Sequence, residues 1–454
     1  MSATTRLWSL ADDVLVEGDS GPGPLTVVTR WGEFVFADAA APVRAAIQRM
    51  SLGPVAVDNV YLSPALDRIL DRLSGSVVHS IQLDDRQELV VSAAPTGPTA
   101  SFALCPPEAG QPVRLSRFTM LRPDDGRLSL ESAFASFQVG LQHPVALRIV
   151  EALTGATTAE KLADSAELPV ALVRDVVSFL AAANVVVYGD QAGVFSEDRD
   201  PALRPWTHHA LLFHRLSRSR HQPSEQAVPI DSPAVKPIPA GERIPLDTPQ
   251  PTEPEISLTE VLETDLSCPD FTTRELSFAQ VSALLYRSAR VRGGAPPHLP
   301  HGMSYPASRR PYRSIGCLYE LELYLTVQRC AGLLPAMYHY DPAGHALTLV
   351  NTEDDVHSTL LDTAKVGAGC TRRPSLLITI AARMDRTTVL GGAAYATSLT
   401  HVGALQQTLS LVATSLGLAA HAIPIDTDEA VDRAIGLDWP AEVVVGQSVI
   451  DRPA

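Results

Sequence analysis

The sequence predicts an α+β protein with more than one domain, and three observations lead to that prediction. The 454-residue chain is too long for a single ordinary core, because domains commonly have about 100–200 residues. Nine prolines fall between Pro223 and Pro254, where apolar periodicity disappears, so this segment is predicted to be an extended linker rather than core. Helix and strand signals occur on both sides of it, and those after it fit helices with a mainly antiparallel sheet. The predicted segments are 1–95, 96–220, a Pro-rich linker at 221–256, and 257–454.

Segment 1–95 is predicted to be a small α+β unit. Apolar and polar residues alternate through 25–36 around a turn that contains Gly32, which is typical of a hairpin. The run from Pro42 to Met50 has the spacing of a short helix. We interpret this unit as a peptide-binding module.

Segment 96–220 contains apolar residues at helical spacing in three successive stretches, followed by the strand-like run Asn184–Tyr188. Three helices before a β element give the outline of a winged helix. The formal charge of the chain is −15, and the second helix and its surroundings are acidic where a DNA-recognition helix needs arginine or lysine. We therefore expect no nucleic acid partner, and a peptide-binding or structural role. The helical stretches are His143–Leu153, Thr157–Ala163 and Pro169–Ala182.

Segment 257–454 alternates helix and strand signals. A long amphipathic helix is predicted over Thr400–Leu416, ended by Gly417. The stretch Leu318–Leu323 is helix-like and runs into an apolar segment. The other predicted elements are a helix over Ser277–Arg287 and strands over Ala346–Val350 and Leu376–Ala382.

Composition excludes several classes of protein. No apolar run approaches the roughly eighteen residues that a membrane-spanning helix needs, and the N-terminus lacks the pattern of a secretory signal, so a cytoplasmic location without membrane attachment is expected. Five cysteines, widely spaced and without a CxxC pair, argue against a disulfide framework and against a metal site.

Three ordered motifs carry a family resemblance. The first is RPYRSIGCLYELELY, which places a hydroxyl and a glycine in a loop where free amides could bind a flat cofactor or a phosphate. The second is AGLLPAMYHYDPAGHAL, and the third is GALQQTLSLVATSLGL. Together they resemble the SagB-type thiazole/oxazole dehydrogenases, whose motifs read RPYPSGGALYPLELY, GLxPGLYHYDPxxHxL and GHLAQNLLLAAxALGL. The similarity extends upstream to residues 114–137 and 207–220.

The resemblance implies a nitroreductase-like FMN domain in the C-terminal segment and a homodimer with FMN at the subunit interface. It further implies oxidation of thiazoline or oxazoline rings in a ribosomally made peptide, with a base for the ring proton and flavin as hydride acceptor. The residues that it assigns to the cofactor are Ser267, Arg310, Ser314, Gly316, Gly403 and Gln407.

Two departures from the family keep the chemistry open. Asp265–Phe271 stands where the family has phosphate-binding arginines, so Arg309, Arg310 and Arg313, or the alternative register Arg287–Arg290, are candidates to replace them. Val389–Leu390 stands where the family has a Lys-Tyr pair that serves as base. Tyr395 and Tyr319 are the candidate catalytic residues, and His339 and His401 are further candidates for proton transfer.

Three hypotheses follow from this comparison. The first is an FMN-dependent azoline dehydrogenase, and the second is a flavin-dependent reductase of dehydroamino acids. The third is a non-catalytic relative that binds leader peptide or an active paralogue. The expected partners are a modified precursor peptide, a second copy or a paralogue, and a cyclodehydratase.

Overall fold

The computed structural model describes residues 4–17, 23–37, 39–56, 63–83, 88–218, 230–250, 256–264, 274–294, 305–426 and 429–453. The chain divides into two compact units, Met1–His221 (unit 1) and Gln222–Ala454 (unit 2). Each unit has its own sheets and helices.

Unit 1 contains a seven-stranded antiparallel sheet in the order β5-β1-β6-β7-β11-β10-β9, together with a three-stranded β2-β3-β4 sheet and a β12-β8 pair. Its strands are β1 (Thr4–Leu10), β2 (Leu15–Glu17), β3 (Leu25–Thr29), β4 (Gly32–Phe36), β5 (Val55–Ala56), β6 (Val77–Leu83), β7 (Leu89–Pro95), β8 (Val113–Leu115), β9 (Thr119–Asp124), β10 (Arg127–Ser132), β11 (Phe137–Leu141) and β12 (Val186–Tyr188). Its helices are α1 (Ala41–Leu52), α2 (Pro64–Arg72), α3 (Pro144–Ala152), α4 (Ala159–Ala166), α5 (Val170–Ala182), α6 (Ser196–Arg199) and α7 (His208–Leu216).

The local predictions for unit 1 agree with these elements. The hairpin at 25–36 is β3 and β4, and the three helical stretches before the strand-like run are α3, α4 and α5 followed by β12. The predicted boundary at 95/96 does not separate two sheets, because β7, which ends at Pro95, pairs with β11. The main sheet therefore runs through both predicted segments.

Unit 2 is built on a seven-stranded antiparallel sheet in the order β13-β20-β19-β17-β21-β23-β22. Its strands are β13 (Arg243–Pro245), β14 (Leu276–Ser277), β15 (Gly293–Gly294), β16 (Ser308–Arg309), β17 (Leu321–Val327), β18 (Cys330–Ala331), β19 (Ala336–Asp341), β20 (Ala346–Asn351), β21 (Leu376–Arg383), β22 (Ala419–Ile423) and β23 (Glu442–Asp451). Its helices are α8 (Leu258–Glu263), α9 (Phe278–Ala289), α10 (Asp354–Gly367), α11 (Ala394–Ser415) and α12 (Glu429–Ala434).

Helices cover both faces of this sheet. Leu284 of α9 and Leu405 of α11 share a core with one face of β17 and β21, while Leu361 of α10 packs on the opposite face. Every residue of β17 and β21 is buried as a result. Unit 2 is therefore an α+β fold with a mainly antiparallel sheet, as the sequence predicts.

Two predictions for unit 2 need correction. The stretch Leu318–Leu323 is not helical, since β17 begins at Leu321 after a short 3-10 turn at Ile315–Cys317. The buried positions on both faces of β17 hide the alternation that marks a half-exposed strand. The long helix α11 begins at Ala394 rather than Thr400. A 3-10 turn leads into it without a side-chain cap, so the sequence has no capping signal that marks the start of the helix. The helix ends before Gly417, as predicted.

The Pro-rich segment also differs from the prediction of a linker outside the core. Within its described part, β13 extends the main sheet by pairing with β20. Leu246 is buried in the main core, and Ile230 is buried in a small cluster with Tyr305 and Leu318. Proline removes amide donors but leaves carbonyl acceptors, so such a chain can still dock as an edge.

Candidate functional site

The loop that carries the first family motif has an unusual backbone. Gly316, Cys317 and Tyr319 all have positive φ angles, of 64°, 56° and 46°. A left-handed conformation at Cys317 and Tyr319 costs on the order of 1–3 kcal/mol each and persists only where surrounding contacts enforce it. This loop, residues 314–319, is therefore held in shape by the rest of unit 2.

Hydrogen bonds hold loop 314–319 at several points. The Ser314 hydroxyl accepts the Tyr319 amide at 3.0 Å, and the Tyr305 hydroxyl donates to the Gly316 carbonyl oxygen at 2.6 Å. The Ile315 amide donates to Nε2 of His401, on α11, at 2.8 Å. The loop is fixed both internally and to the long helix.

His401 is itself oriented by Glu320. Its Nδ1 lies 2.8 Å from Oε1 of Glu320, and the two side chains are 2% and 0% exposed. Because Nε2 accepts the Ile315 amide, the ring hydrogen must be on Nδ1, where it donates to the carboxylate. Glu320 and His401 thus form a positioning pair for loop 314–319.

Beside this loop, three buried arginines donate to consecutive main-chain carbonyl oxygens of the Pro-rich segment. We call Arg310, Arg383 and Arg386 the arginine cradle. The pairs are Arg386 Nη1 with Ser232 at 2.9 Å, Arg383 Nη2 with Pro233 at 3.1 Å, and Arg310 Nη2 with Ala234 at 3.4 Å. The cradle therefore binds residues 232–234 through their main-chain carbonyl oxygens and not through their side chains.

The cradle concentrates positive charge in the interior. Burial, together with the neighbouring Arg383 and Arg310, lowers the pKa of Arg386 to about 10. Glu322 is 1% exposed and lies 3.3 Å from His339 and 3.5 Å from Arg383. Burial opposes ionisation of Glu322, but the His339 hydrogen bond and the nearby arginines outweigh it and lower its pKa. This carboxylate partly balances the three cations.

Two predicted site residues lie inside this network instead of facing a ligand. Arg310 is 5% exposed, and its other terminal nitrogen donates to the Leu321 carbonyl oxygen at 3.0 Å. The Tyr319 hydroxyl points to the carbonyl oxygens of Tyr312 and Arg310, at 3.0 and 3.3 Å. These contacts argue against a phosphate-binding role for Arg310 and against proton transfer by Tyr319.

Gly403 and Gln407 lie on the exposed face of α11. No atom would come within 4 Å of a Cβ placed at Gly403, so the helix is open to a flat group there. At 100° per residue, Gly403 lies about 200° around the helix from His401, which faces loop 314–319. One chain therefore does not bring Ser314 and Gly316 together with Gly403 and Gln407. Ser267 lies outside the described residues.

Tyr395, the other predicted catalytic residue, lines a cavity of about 440 Å³ near the start of α11. Tyr395 is 41% exposed and Trp439 is 50% exposed, while Asp432 is 7% exposed. Two aromatic rings and one carboxylate thus share an otherwise apolar cavity. The remaining walls come from Met384, Ile425, Val443 and Val444.

The residues that replace the family's Lys-Tyr pair have an apolar environment. Val389 and Leu390 pack against the cluster of Ile230, Tyr305 and Leu318. Both side chains are half-buried, so the two positions that replace the pair pack as apolar residues.

The hydrogen bonding of these residues tests how well the chain suits FMN. The Ser314 hydroxyl and the Arg310 guanidinium are already engaged within unit 2. Gly403 and Gln407 are open, and Arg313 is exposed without a polar partner among the described residues. The fit is therefore good at the exposed face of α11 and at Arg313, and poor at Arg310.

No helix in the described ranges is both long and apolar enough to cross a membrane. No group of three or more His, Cys, Asp or Glu side chains in those ranges has the arrangement of a metal site.

The architecture of unit 2 is that of a nitroreductase-like fold, and the comparisons with known proteins agree. The model of the nitroreductase family matches residues 307–450, which include loop 314–319, the cradle and α11. The model described as cyanobactin oxidase ThcOx matches residues 113–223. The protein MJ1384 of Methanocaldococcus jannaschii, which carries the name of a nitroreductase, is 28% identical over 165 residues, or 36% of this chain and 76% of that protein.

Solved structures resemble the chain more weakly. A nitroreductase structure from Ralstonia eutropha has 19% identity and a TM-score of 0.37, covering 50% of this chain and 98% of that one. The Escherichia coli microcin synthetase McbBCD, with truncated pro-MccB17 bound, has 21% identity and a TM-score of 0.34, covering 44% and 74%. Similarity at this level identifies neither a substrate nor a partner.

Sequence reasoning missed two parts of this site. The pairing of Glu320 with His401 spans 81 positions, and the cradle joins Arg383 and Arg386 to residues about 150 positions earlier. The sequence does place arginines next to an apolar strand. A charged side chain that is buried there needs a hydrogen-bond acceptor, and this is the signal that could have indicated the cradle.

Proposed function

We propose that the chain is an FMN-dependent oxidoreductase acting on a ribosomally synthesised, modified peptide, and that it oxidises thiazoline or oxazoline rings to azoles. The observation that carries the proposal is the presence in one chain of two matches, to a cyanobactin oxidase model over 113–223 and to the nitroreductase family over 307–450. Unit 2 supports it with a rigid loop at the position of the first family motif.

Gly403 and Gln407 are the residues that we assign to the flavin ring, and the exposed arginines Arg309 and Arg313 are those that we assign to its phosphate. Bound FMN would supply the acceptor for the hydride that leaves the azoline ring. Glu320 and His401 hold the loop beside which the cofactor would lie, so their role is positioning.

The Tyr395 cavity is our candidate for the substrate ring. A cavity of about 440 Å³ with two aromatic walls can enclose a five-membered ring and its neighbouring residue. Tyr395 and Asp432 are the groups in this cavity that can exchange a proton, which the lost Lys-Tyr pair would otherwise do.

The site requires a second chain on this proposal. Loop 314–319 and the Gly403–Gln407 face point to opposite sides of α11, so a flavin in contact with both needs a face from another copy or a paralogue. Within α11, positions 394–415 contain no Asp, Glu, Lys or Arg, which suits a helix that packs against a partner.

The visible spectrum of the purified chain tests cofactor binding. We expect a flavin band at roughly 450 nm and one FMN released per chain on denaturation. Incubation with an azoline-containing peptide should then lower the peptide mass by about two units. A colourless chain that cannot be reconstituted with FMN would refute the proposal.

The apolar packing of Val389 and Leu390 favours a second candidate, reduction of dehydroamino acids, because hydride delivery does not need a base that removes a ring proton. A dehydroalanine peptide would then gain about two mass units in the presence of reduced flavin. The inward direction of Arg310 favours the third, a non-catalytic partner that binds leader peptide or an active paralogue. That candidate predicts no flavin and no mass change, but retention of the chain by the cyclodehydratase or the active paralogue.

A further inference from the structure

Unit 1 contains a cleft with aromatic walls at the neighbouring strands β1 and β6. Trp8 and His79 are direct cross-strand partners, and their rings meet edge to face with centroids 6.4 Å apart. Residues 96–112, which have no helix or strand, run close by and place Phe102 flat on His79, with the two rings 4.1 Å apart and tilted by 9°. We call Trp8, His79 and Phe102 the aromatic wall.

Two cavities share the aromatic wall. One, of about 380 Å³, extends towards Arg6, Leu104 and Phe179, and the other, of about 390 Å³, extends towards Asp67 and Asp71 of α2. Each volume is within the roughly 300–1,000 Å³ typical of ligand sites. We call the two cavities together the aromatic cleft, because the aromatic wall lines both of them.

His79 is an unusual member of such a wall. Burial lowers its pKa to about 4, so the ring is neutral at neutral pH and has one donor and one acceptor nitrogen. Neither nitrogen has a hydrogen-bond partner in the described part of unit 1. His79 is half-buried and neither nitrogen is fully enclosed by protein, so both are within reach of a ligand in the cleft.

The two ends of the cleft carry opposite charge. Arg6, Asp67 and Asp71 are all exposed, and none of them has an ion-pair partner within the described residues. A ligand that spans the cleft is therefore complementary when it has an acidic group at the Arg6 end and a basic group at the α2 end.

We propose that the aromatic cleft of unit 1 binds an extended peptide segment in which a tyrosine-like side chain lies between a basic and an acidic residue. The aromatic side chain stacks in the cleft and its hydroxyl bonds to His79, while the flanking charges pair with Asp67 or Asp71 and with Arg6. A peptide fits better than a compact molecule, because the complementary groups lie in two cavities on either side of a common wall. In so far as the bound peptide is the precursor, this site rests on the proposed function and names where unit 1 would hold the substrate.

The test uses the full chain without added flavin and an acetylated, amidated heptapeptide of lysine, two glycines, tyrosine, two glycines and glutamate. Histidine labelled with ¹³C in the ring gives one signal per residue, and the His79 signal is the one that His79→Phe removes. Phenylalanine keeps the stacking on Phe102, so this variant also retains the fold. We expect a saturable shift of the His79 signal, and binding at least about tenfold weaker when alanine replaces the tyrosine.

Charge reversal tests the orientation of the charges. Arg6→Glu should make the peptide with lysine at both ends bind about tenfold better than the peptide with glutamate at both ends. The matched control is Arg127→Glu, because Arg127 is an exposed arginine of β10. This control should have the same relative affinities for the two peptides as the unaltered chain.

The inference is overturned if the His79 signal shows no saturable shift, or if the chain binds the alanine peptide as tightly as the tyrosine peptide. An unchanged charge preference in Arg6→Glu overturns it too. These results are independent of flavin, so a chain that binds the peptide but never takes up FMN would refute the proposed function and leave this site intact.

Discussion

Replacing Arg386 with methionine removes a cation that is 0% exposed and whose three donor nitrogens are all used. Nε donates to the Leu318 carbonyl oxygen at 2.8 Å, Nη1 to Ser232 at 2.9 Å, and Nη2 to Pro306 at 2.8 Å. Methionine fills much of the volume but leaves three buried carbonyl oxygens without donors. The substitution therefore isolates the hydrogen bonds from simple loss of packing.

Two opposing effects set the magnitude. Each orphaned carbonyl oxygen costs about 1–3 kcal/mol. Burial beside Arg383 and Arg310 already disfavours the cation, and the lowering of the Arg386 pKa to about 10 corresponds to about 3 kcal/mol that the methionine variant recovers. Three orphaned oxygens together cost about 3–9 kcal/mol, so after about 3 kcal/mol is recovered the net loss in the free energy of unfolding should be roughly 3 kcal/mol, within a range of about 0–6 kcal/mol.

Urea denaturation of the full chain measures this loss, and hydrogen exchange followed by mass spectrometry locates it. We expect faster exchange in the peptide that covers residues 230–236, with exchange in unit 1 unchanged. Arg372→Met is the matched control, because Arg372 is exposed and should cost less than about 0.5 kcal/mol. An Arg386→Met variant as stable as the control, with an unchanged exchange rate at 230–236, would show that the cradle does not hold the segment.

Three further predictions concern the site and its ionisable groups. His401→Phe keeps a buried ring but removes the acceptor of the Ile315 amide, so FMN uptake followed by flavin fluorescence should weaken at least about tenfold, and unchanged uptake would exclude the positioning role. The pKa of His79 is about 4 in the folded chain and 6.5 in the unfolded chain, so the unfolded chain binds the proton first and the free energy of unfolding falls as the pH drops from 6.5 to 4. His79→Phe should abolish up to about 3 kcal/mol of that fall, measured by urea denaturation at each pH. An unchanged pH dependence would contradict this prediction. Gln407→Ala should weaken FMN binding, whereas Tyr395→Phe should preserve FMN binding and lower turnover of the azoline peptide, and an equal loss of binding in both variants would contradict these assignments.

The sequence could predict elements whose pattern is local. The hairpin at 25–36 alternates because one face is buried. The helix predicted over Ser277–Arg287 is α9, which begins at Phe278 after the N-cap Ser277. β17 was misjudged at its start because helices cover both faces of its sheet, and a strand with no exposed face lacks the alternation that distinguishes it from a helix.

The candidate site was less predictable, because sequence gives residue types but not side-chain directions. The motif predicted free amides in loop 314–319, but those of Ile315, Cys317, Leu318 and Tyr319 are hydrogen-bonded within unit 2. Arg310 and Tyr319 likewise turn inward to main-chain carbonyl oxygens. The assignments of Gly403 and Gln407 to a cofactor remain predictions, as does that of Ser267.

The arginine cradle also determines where a separately expressed C-terminal fragment can begin. A fragment that starts at the predicted boundary, residue 257, lacks the three carbonyl oxygens at 232–234, the buried side chain of Ile230 and the edge strand β13. It would have to fold with three guanidinium groups that have each lost one acceptor and with one sheet edge uncovered. The smallest autonomous form of unit 2 therefore begins before Ile230, and comparisons of the isolated C-terminal part with the full chain need that extra length of sequence.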